Sequence, residues 1–207
     1  MKLKLNYECF DKGLEKLSQE YKIFAPVVLE YKGTYSDTPS IRYKEDMEFD
    51  LKSHFSPKEV MLPINEILLY FTQDEYSEAK VKEEKVLIFM RACDINAVKR
   101  VDEIYLRNGE EDYYYKRRRN KVKFVLVGCR ESFRNCFCVS MNSNKTEDYA
   151  MALNIRDNEL YIDIKDEDLN VFDGQSEEFE VDYVKENYIK VEIPENIDPI
   201  KVSKAPI

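Results

Sequence analysis

Four of the chain's five cysteines fall where thiols can act together: Cys93 follows KVLIFMRA, Cys129 follows KFVLVG, and Cys136 and Cys138 form the pair in NCFC. Four thiolates around one centre are the donor set of a tetrahedral zinc site or of an iron–sulfur cluster. Spacing alone leaves the occupant open. The paired C-x(2 to 4)-C knuckles of structural zinc sites are absent, and so is the ferredoxin run C-x2-C-x2-C-x3-C. Cysteine is also among the most buried residue types, so thiols that pack the strand ends without metal are a third reading. Cys9 has no second cysteine at ligand spacing and reads as a small core or boundary side chain.

Other catalytic chemistry finds little support. The only histidine, His54 in SHFSPKEV, has no nucleophile marked beside it, and five glycines provide no GxGxxG or P-loop to cradle phosphate. The EED and DED stretches read as solvated surface of an acidic chain. Arg91, Arg130 and Arg134 lie close to the cysteines in sequence and are expected to offset the charge of a tetrathiolate site.

The elements that must position these thiols are legible around them. VLIFM is a continuous apolar run suited to a strand buried on both faces, and FVLV is a second. Between them lie a helix over INAVKRVDEIYL, with Asp94 as its cap and Ile95, Val98, Val101, Ile104 and Tyr105 on one face, and the segment EDYYYKRRR. Strand, crossover and strand make a βαβ unit, whose strands are parallel. Cys93 and Cys129 then leave the sheet at one carboxyl edge, where open α/β sheets bind ligands, and the Cys136 loop folds back over it. A helix N-terminus beside Cys93 favours the thiolate.

Around this centre, Phe10, Leu14, Leu17 and Tyr21 predict a helix over 7–21. IFAPVVLEYKGTY and SIRYKEDMEFD, broken by Pro26, Gly33 and Pro39, predict antiparallel strands, and Pro63 opens a short helix over INEILLYF. MALNIRDNELYIDI predicts a hairpin turning at Asp157 and Asn158. The fold class is therefore α/β with α+β character at the termini: a mixed sheet with a central parallel βαβ unit and antiparallel flanking strands. Residues 1–195 are expected to form one domain, followed by a proline-bearing linker over 196–207.

The whole-chain balance narrows the function classes. With 207 residues and 43% hydrophobic content the chain can bury one substantial core. A net charge of -9 argues against nucleic acid, whose phosphates require a concentrated positive field. The run Lys116 to Arg119 with Lys121 reads as a solvated helix end, or as a dock for an acidic protein. No apolar run approaches the roughly 18 residues of a membrane span, and MKLKLNYECFDKGLEKL is charged where a secretory peptide is apolar. A soluble, cytoplasmic protein with reduced thiols is expected.

The blocks RACD, YLRNGEEDYYYKRRRNKVKFVLVGC and NCFCVSM, with YKIFAPV and SHFSPKEVMLPINEILLYF before them, resemble the A subunit of anaerobic sulfite reductase. The beta subunit of the soluble sulfhydrogenases shares the pattern. The likeness runs in order over most of residues 20 to 165, with Ala92 where that family usually has proline. It implies an electron-transfer subunit of a cytoplasmic complex, working between a flavin subunit that oxidises NADH and a sirohaem subunit that reduces sulfite to sulfide. By the same resemblance, Cys93, Cys129, Cys136 and Cys138 hold a [4Fe-4S] cluster. The family continues into a cysteine-rich, ferredoxin-like region, so the chain is expected to be its amino-terminal portion, with 196–207 leading toward that absent domain. The alternatives are a sulfhydrogenase beta subunit, or an assembly domain with structural cysteines.

Overall fold

The computed structural model describes residues 1–29, 32–36, 47–50, 56–79 and 84–189. The chain opens with strand β1 (Lys2–Leu5), helix α1 (Tyr7–Leu17) and the strand pair β2 (Tyr21–Leu29) and β3 (Lys32–Ser36). A small hairpin, β4 (Leu69–Phe71) and β5 (Tyr76–Glu78), precedes β6 (Lys85–Met90), α2 (Ala92–Leu106), α3 (Tyr113–Arg119) and β7 (Val122–Val127). Strands β8 (Met151–Arg156), β9 (Glu159–Ile164) and β10 (Gln175–Ser176) follow.

Eight strands form one mixed sheet in the order β10-β1-β9-β8-β7-β6-β2-β3. Its centre, β2, β6, β7 and β8, is parallel throughout. Antiparallel neighbours flank it on both sides: β3 beside β2, and β9, β1 and β10 beyond β8. The expected α/β architecture with a central βαβ unit is therefore present.

Side chains alternate along the central strands, so each strand feeds two cores. Leu87 and Phe89 of β6 and Val125 and Val127 of β7 join a cluster closed by Phe10, Leu14 and Leu17 of α1. Ile88, Met90, Phe124 and Leu126 join the other, closed by Ile95 and Val98 of α2 and Tyr115 of α3. The Asn6 side chain caps α1 by accepting from the Cys9 amide at 2.9 Å, and Phe10 stacks on Phe172 with centroids 5.7 Å apart. Cys9 is half-buried against that core, as its sequence context indicates. The β8–β9 hairpin turns at Asp157 and Asn158, whose φ of 47° and 66° give the paired left-handed geometry of a two-residue turn.

Four local expectations are corrected. Helix α1 ends at Leu17, and Tyr21 instead begins β2. That strand is a parallel partner of β6 through Phe24 and an antiparallel partner of β3 only from Ala25 onward, so Pro26 lies past the β6 ladder. Residues 63–71 are not helical: 63–68 form no regular element and Leu69–Phe71 are β4, with Ile64, Ile67, Leu68, Leu69, Tyr70 and Phe71 exposed rather than buried along one helix face. The basic run does end helix α3 with Lys116 exposed, but its arginines are partly buried rather than solvated. Arg118 donates to the Met61 carbonyl at 2.9 Å and pairs with Glu66, while Arg119 pairs with Asp102 at 3.1 Å over the Phe124 ring. His54 and residues 196–207 lie outside the described residues.

Candidate functional site

Adjacent parallel strands put their carboxyl ends side by side: Met90, the last residue of β6, is in register with Leu126 of β7. Cys93 lies three residues beyond Met90, in the first turn of α2, and Cys129 lies two residues beyond the end of β7. The following loop carries Cys136 and Cys138. All four line a single cavity of about 810 Å³ at this edge, with Phe89, Met90, Val127, Phe133 and Phe49 among its apolar walls. All five cysteines are free thiols.

Gly128 lets the chain turn off the sheet against β8. A Cβ there would sit 2.4 Å from Asn154 Oδ1, and its amide bonds the Leu153 carbonyl at 2.7 Å. Asn154 is a buried polar side chain with both ends used: its amide group donates to the Glu180 carbonyl, and its oxygen accepts from the Asp182 amide. The Asp182 carbonyl in turn accepts from the Cys129 amide at 2.9 Å, so the segment near 180 fixes the first loop cysteine.

Side-chain amides hold the rest of the loop. Asn96 of α2 donates to the Ser143 and Lys145 carbonyls at 3.0 and 2.8 Å. Asn144 donates to the Val184 carbonyl at 2.7 Å, and Asn187 accepts from the Val139 amide while donating to Ser140. Within the loop, the Cys138 carbonyl accepts from the Ser143 amide at 2.8 Å, and Asn142 adopts the left-handed φ of 52° that asparagine tolerates. These asparagines were not singled out in the sequence. For Asn142 and Asn144 the signal is the cluster NSNK following the cysteine pair, since Asn side chains bond backbone in turns, whereas Asn96 and Asn187 lie outside it.

Burial dominates the electrostatics of the thiols. It is the largest cause pushing Cys93 up to about 12, followed by the Asp94 carboxylate and then the other three cysteines. Burial also raises Cys129, against which Arg91 acts as a nearby charge and hydrogen-bond donor. Cys138 is raised by burial and then by Cys136 and Cys129. Each of these thiols therefore feels the charge of its neighbours, which disfavours ionising them together. Asp94 does not cap α2: Arg91 holds that position without a side-chain cap bond. Of the three arginines expected to offset charge, Arg91 lines the cavity, whereas Arg130 and Arg134 are exposed and outside its lining. Lys99 and Arg100 of α2 line it instead.

The donor set is all thiol, which suits zinc or an iron–sulfur cluster by chemistry. Among the described residues, no three His, Cys, Asp or Glu side chains form a cage for a single ion as they stand. Four thiols lining one cavity supply the number and type of donors that either group requires. No helix among the described residues is long and apolar enough to cross a membrane.

The chain is 25% identical over 150 residues to the sulfhydrogenase 2 beta subunit of Pyrococcus furiosus, a match covering 72% of this chain and 42% of that protein. It thus spans less than half the length of that distant relative. No protein-family model matches the chain, and no solved structure matches it significantly.

Proposed function

We propose that the chain is an electron-transfer subunit of a cytoplasmic oxidoreductase complex, with Cys93, Cys129, Cys136 and Cys138 as ligands of one [4Fe-4S] cluster. The observation that carries this reading is the convergence of all four thiols on one cavity at the carboxyl edge of the sheet. A cluster there would supply reversible storage of a single electron. The chain's own residues supply the rest: β6 and β7 set the edge, Gly128 and Asn154 hold the Cys129 turn, and apolar walls limit water around the thiols.

In the finer reading, the complex joins a flavin subunit that oxidises NADH to a sirohaem subunit that reduces sulfite, after the resemblance of the RACD and NCFC blocks. A sulfhydrogenase beta role is the second reading, and the match to the Pyrococcus furiosus subunit favours it. Either way the chain works with partner subunits.

Anaerobic reconstitution with iron and sulfide tests the ligand set. Serine at any one of Cys93, Cys129, Cys136 or Cys138 is expected to lower bound iron and visible absorbance, whereas Cys9→Ser leaves both unchanged. Equal loss from Cys9→Ser, or no loss from the four, overturns the assignment. Partner chemistry is read separately, by assaying the purified complex for sulfide formed from sulfite with NADH and for oxidation of hydrogen. Hydrogen oxidation without sulfite reduction selects the second reading.

A further inference from the structure

Arg91 stands at the junction of strand, helix and cysteine loop. Its backbone is the N-cap of α2, extended at φ −85° and ψ 162°, and its carbonyl accepts from the amides of Asp94 and Ile95 at 3.0 and 3.1 Å. Its side chain is turned across the cavity rather than onto the helix. Nη2 donates to the Phe49 carbonyl at 2.5 Å, and the guanidinium carbon lies 4.7 Å from the Phe133 ring centroid. Its charge also acts on the Cys129 thiol, favouring the thiolate against burial, while the thiol itself donates to the Glu131 carbonyl at 3.3 Å. One side chain therefore joins the segments carrying Phe49, Cys93 and Cys129.

A guanidinium has five N–H donors in a rigid fork, so the carbonyl and the aromatic face can fix its plane while other donors remain for sulfur. Hydrogen bonds to ligand sulfur and adjacent positive charge both stabilise the more negative, reduced state of a thiolate-bound cluster. The other lining cations are placed differently. Lys99 lies 3.2 Å from Thr146 Oγ1 and 3.9 Å from Asp148, a carboxylate that already offsets its charge, and Arg100 is exposed.

We propose that Arg91 is the positioning residue of the cysteine site, clamping the Cys129 loop to the start of α2 and setting how readily the site accepts an electron. This rests on the reading that the four cysteines hold a cluster. The planar fork, and not merely the charge, is the active feature: lysine at this position keeps the charge but cannot both donate to the Phe49 carbonyl and lie flat over the Phe133 ring.

The wild-type chain, Arg91→Gln and Arg91→Lys are reconstituted anaerobically, and iron per chain, far-ultraviolet circular dichroism and midpoint potential are measured. At the wild-type midpoint, Arg91→Gln is expected to shift the oxidised-to-reduced ratio at least about tenfold toward the oxidised form, about 59 mV for one electron. Arg91→Lys is expected to fall between the two. Equal potentials in all three iron-bearing proteins overturn the inference and leave the cluster assignment standing. A wild-type chain that takes up no iron overturns the assignment and the inference with it. Should Arg91→Gln lose its iron, Arg91→Lys supplies the potential; loss from both reduces Arg91 to a structural role and overturns the electron-setting part.

Discussion

A buried thiol is a poor metal ligand until its proton is removed, and Cys93 is the clearest case in this chain. Burial first, then Asp94 and the neighbouring cysteines, push its pKa from the ordinary 9.0 up to about 12. Its thiolate fraction near neutral pH is therefore roughly a thousandfold below that of an ordinary thiol, and since the thiolate is the nucleophile, alkylation slows accordingly. In the metal-free chain, iodoacetamide labelling followed by peptide mapping is expected to modify Cys93 far more slowly than a small-molecule thiol at the same pH. Labelling at the ordinary rate would show that the thiol is not held in the cavity as described. Stability follows with a definite sign. The folded chain keeps this proton up to about pH 12, whereas the unfolded chain releases it near 9.0, so the stabilisation is complete below about pH 9 and is lost as pH rises toward 12. Denaturation midpoints at about pH 8 and pH 10 should diverge in the metal-free wild type and less so in Cys93→Ser.

At the scale of elements, the site depends on a turn with no room for a side chain. Alanine at Gly128 would bring a Cβ to 2.4 Å from Asn154 Oδ1 and 3.2 Å from the Leu153 backbone, and Asn154 cannot easily yield because it anchors Glu180 and Asp182. Gly128→Ala is expected to cost ~1–3 kcal/mol, the usual range for overpacking, and to lower bound iron by displacing Cys129. Denaturant titration checks the first effect and iron analysis the second; an unchanged midpoint would mean that β8 relaxes freely. The strands that place this turn were legible because β6 and β7 are apolar at consecutive positions, as burial on both faces requires. The β8–β9 hairpin was legible through Asp157 and Asn158. The parallel role of β2 was not, since Pro26 and Gly33 resemble the punctuation of an edge hairpin while the β6 partner lies some sixty residues away. Residues 63–71 misled for a related reason: periodicity describes a helix only when a neighbour covers one face. For the site, sequence supplied the four thiols and Arg91. The side-chain amides that hold them bond across 26 to 49 positions, which local pattern cannot reveal.

On the scale of the whole molecule, one region is out of keeping with an acidic surface. Ile64, Phe71 and Tyr76 are each more than 80% exposed, with Ile67, Leu68, Leu69 and Tyr70 exposed between them around the β4–β5 hairpin. Contiguous exposed apolar side chains of this kind mark protein–protein contact sites. Residues 62–79 contain no lysine or arginine, and beside Glu66, which Arg118 pairs, they carry Asp74, Glu75 and Glu78, so the complementary surface is an apolar groove with a basic rim. A second copy of a chain with net charge -9 supplies that poorly, whereas a partner subunit of the proposed complex is under no such constraint. Among the described residues the hairpin pairs with no strand of the main sheet and none of its residues lines the cysteine cavity, so its tip can be altered without touching that cavity. The double substitution Phe71→Ser and Tyr76→Ser is therefore expected to leave iron content and thermal midpoint within error of the wild type. Its affinity for the partner subunit of the proposed complex should fall at least about tenfold, because buried aromatic anchors dominate such interfaces. Calorimetric titration of the reconstituted chain against that subunit decides it. Unchanged affinity would remove the hairpin from the interface, and a shift from dimer to monomer in the variant would assign the patch to a second copy instead.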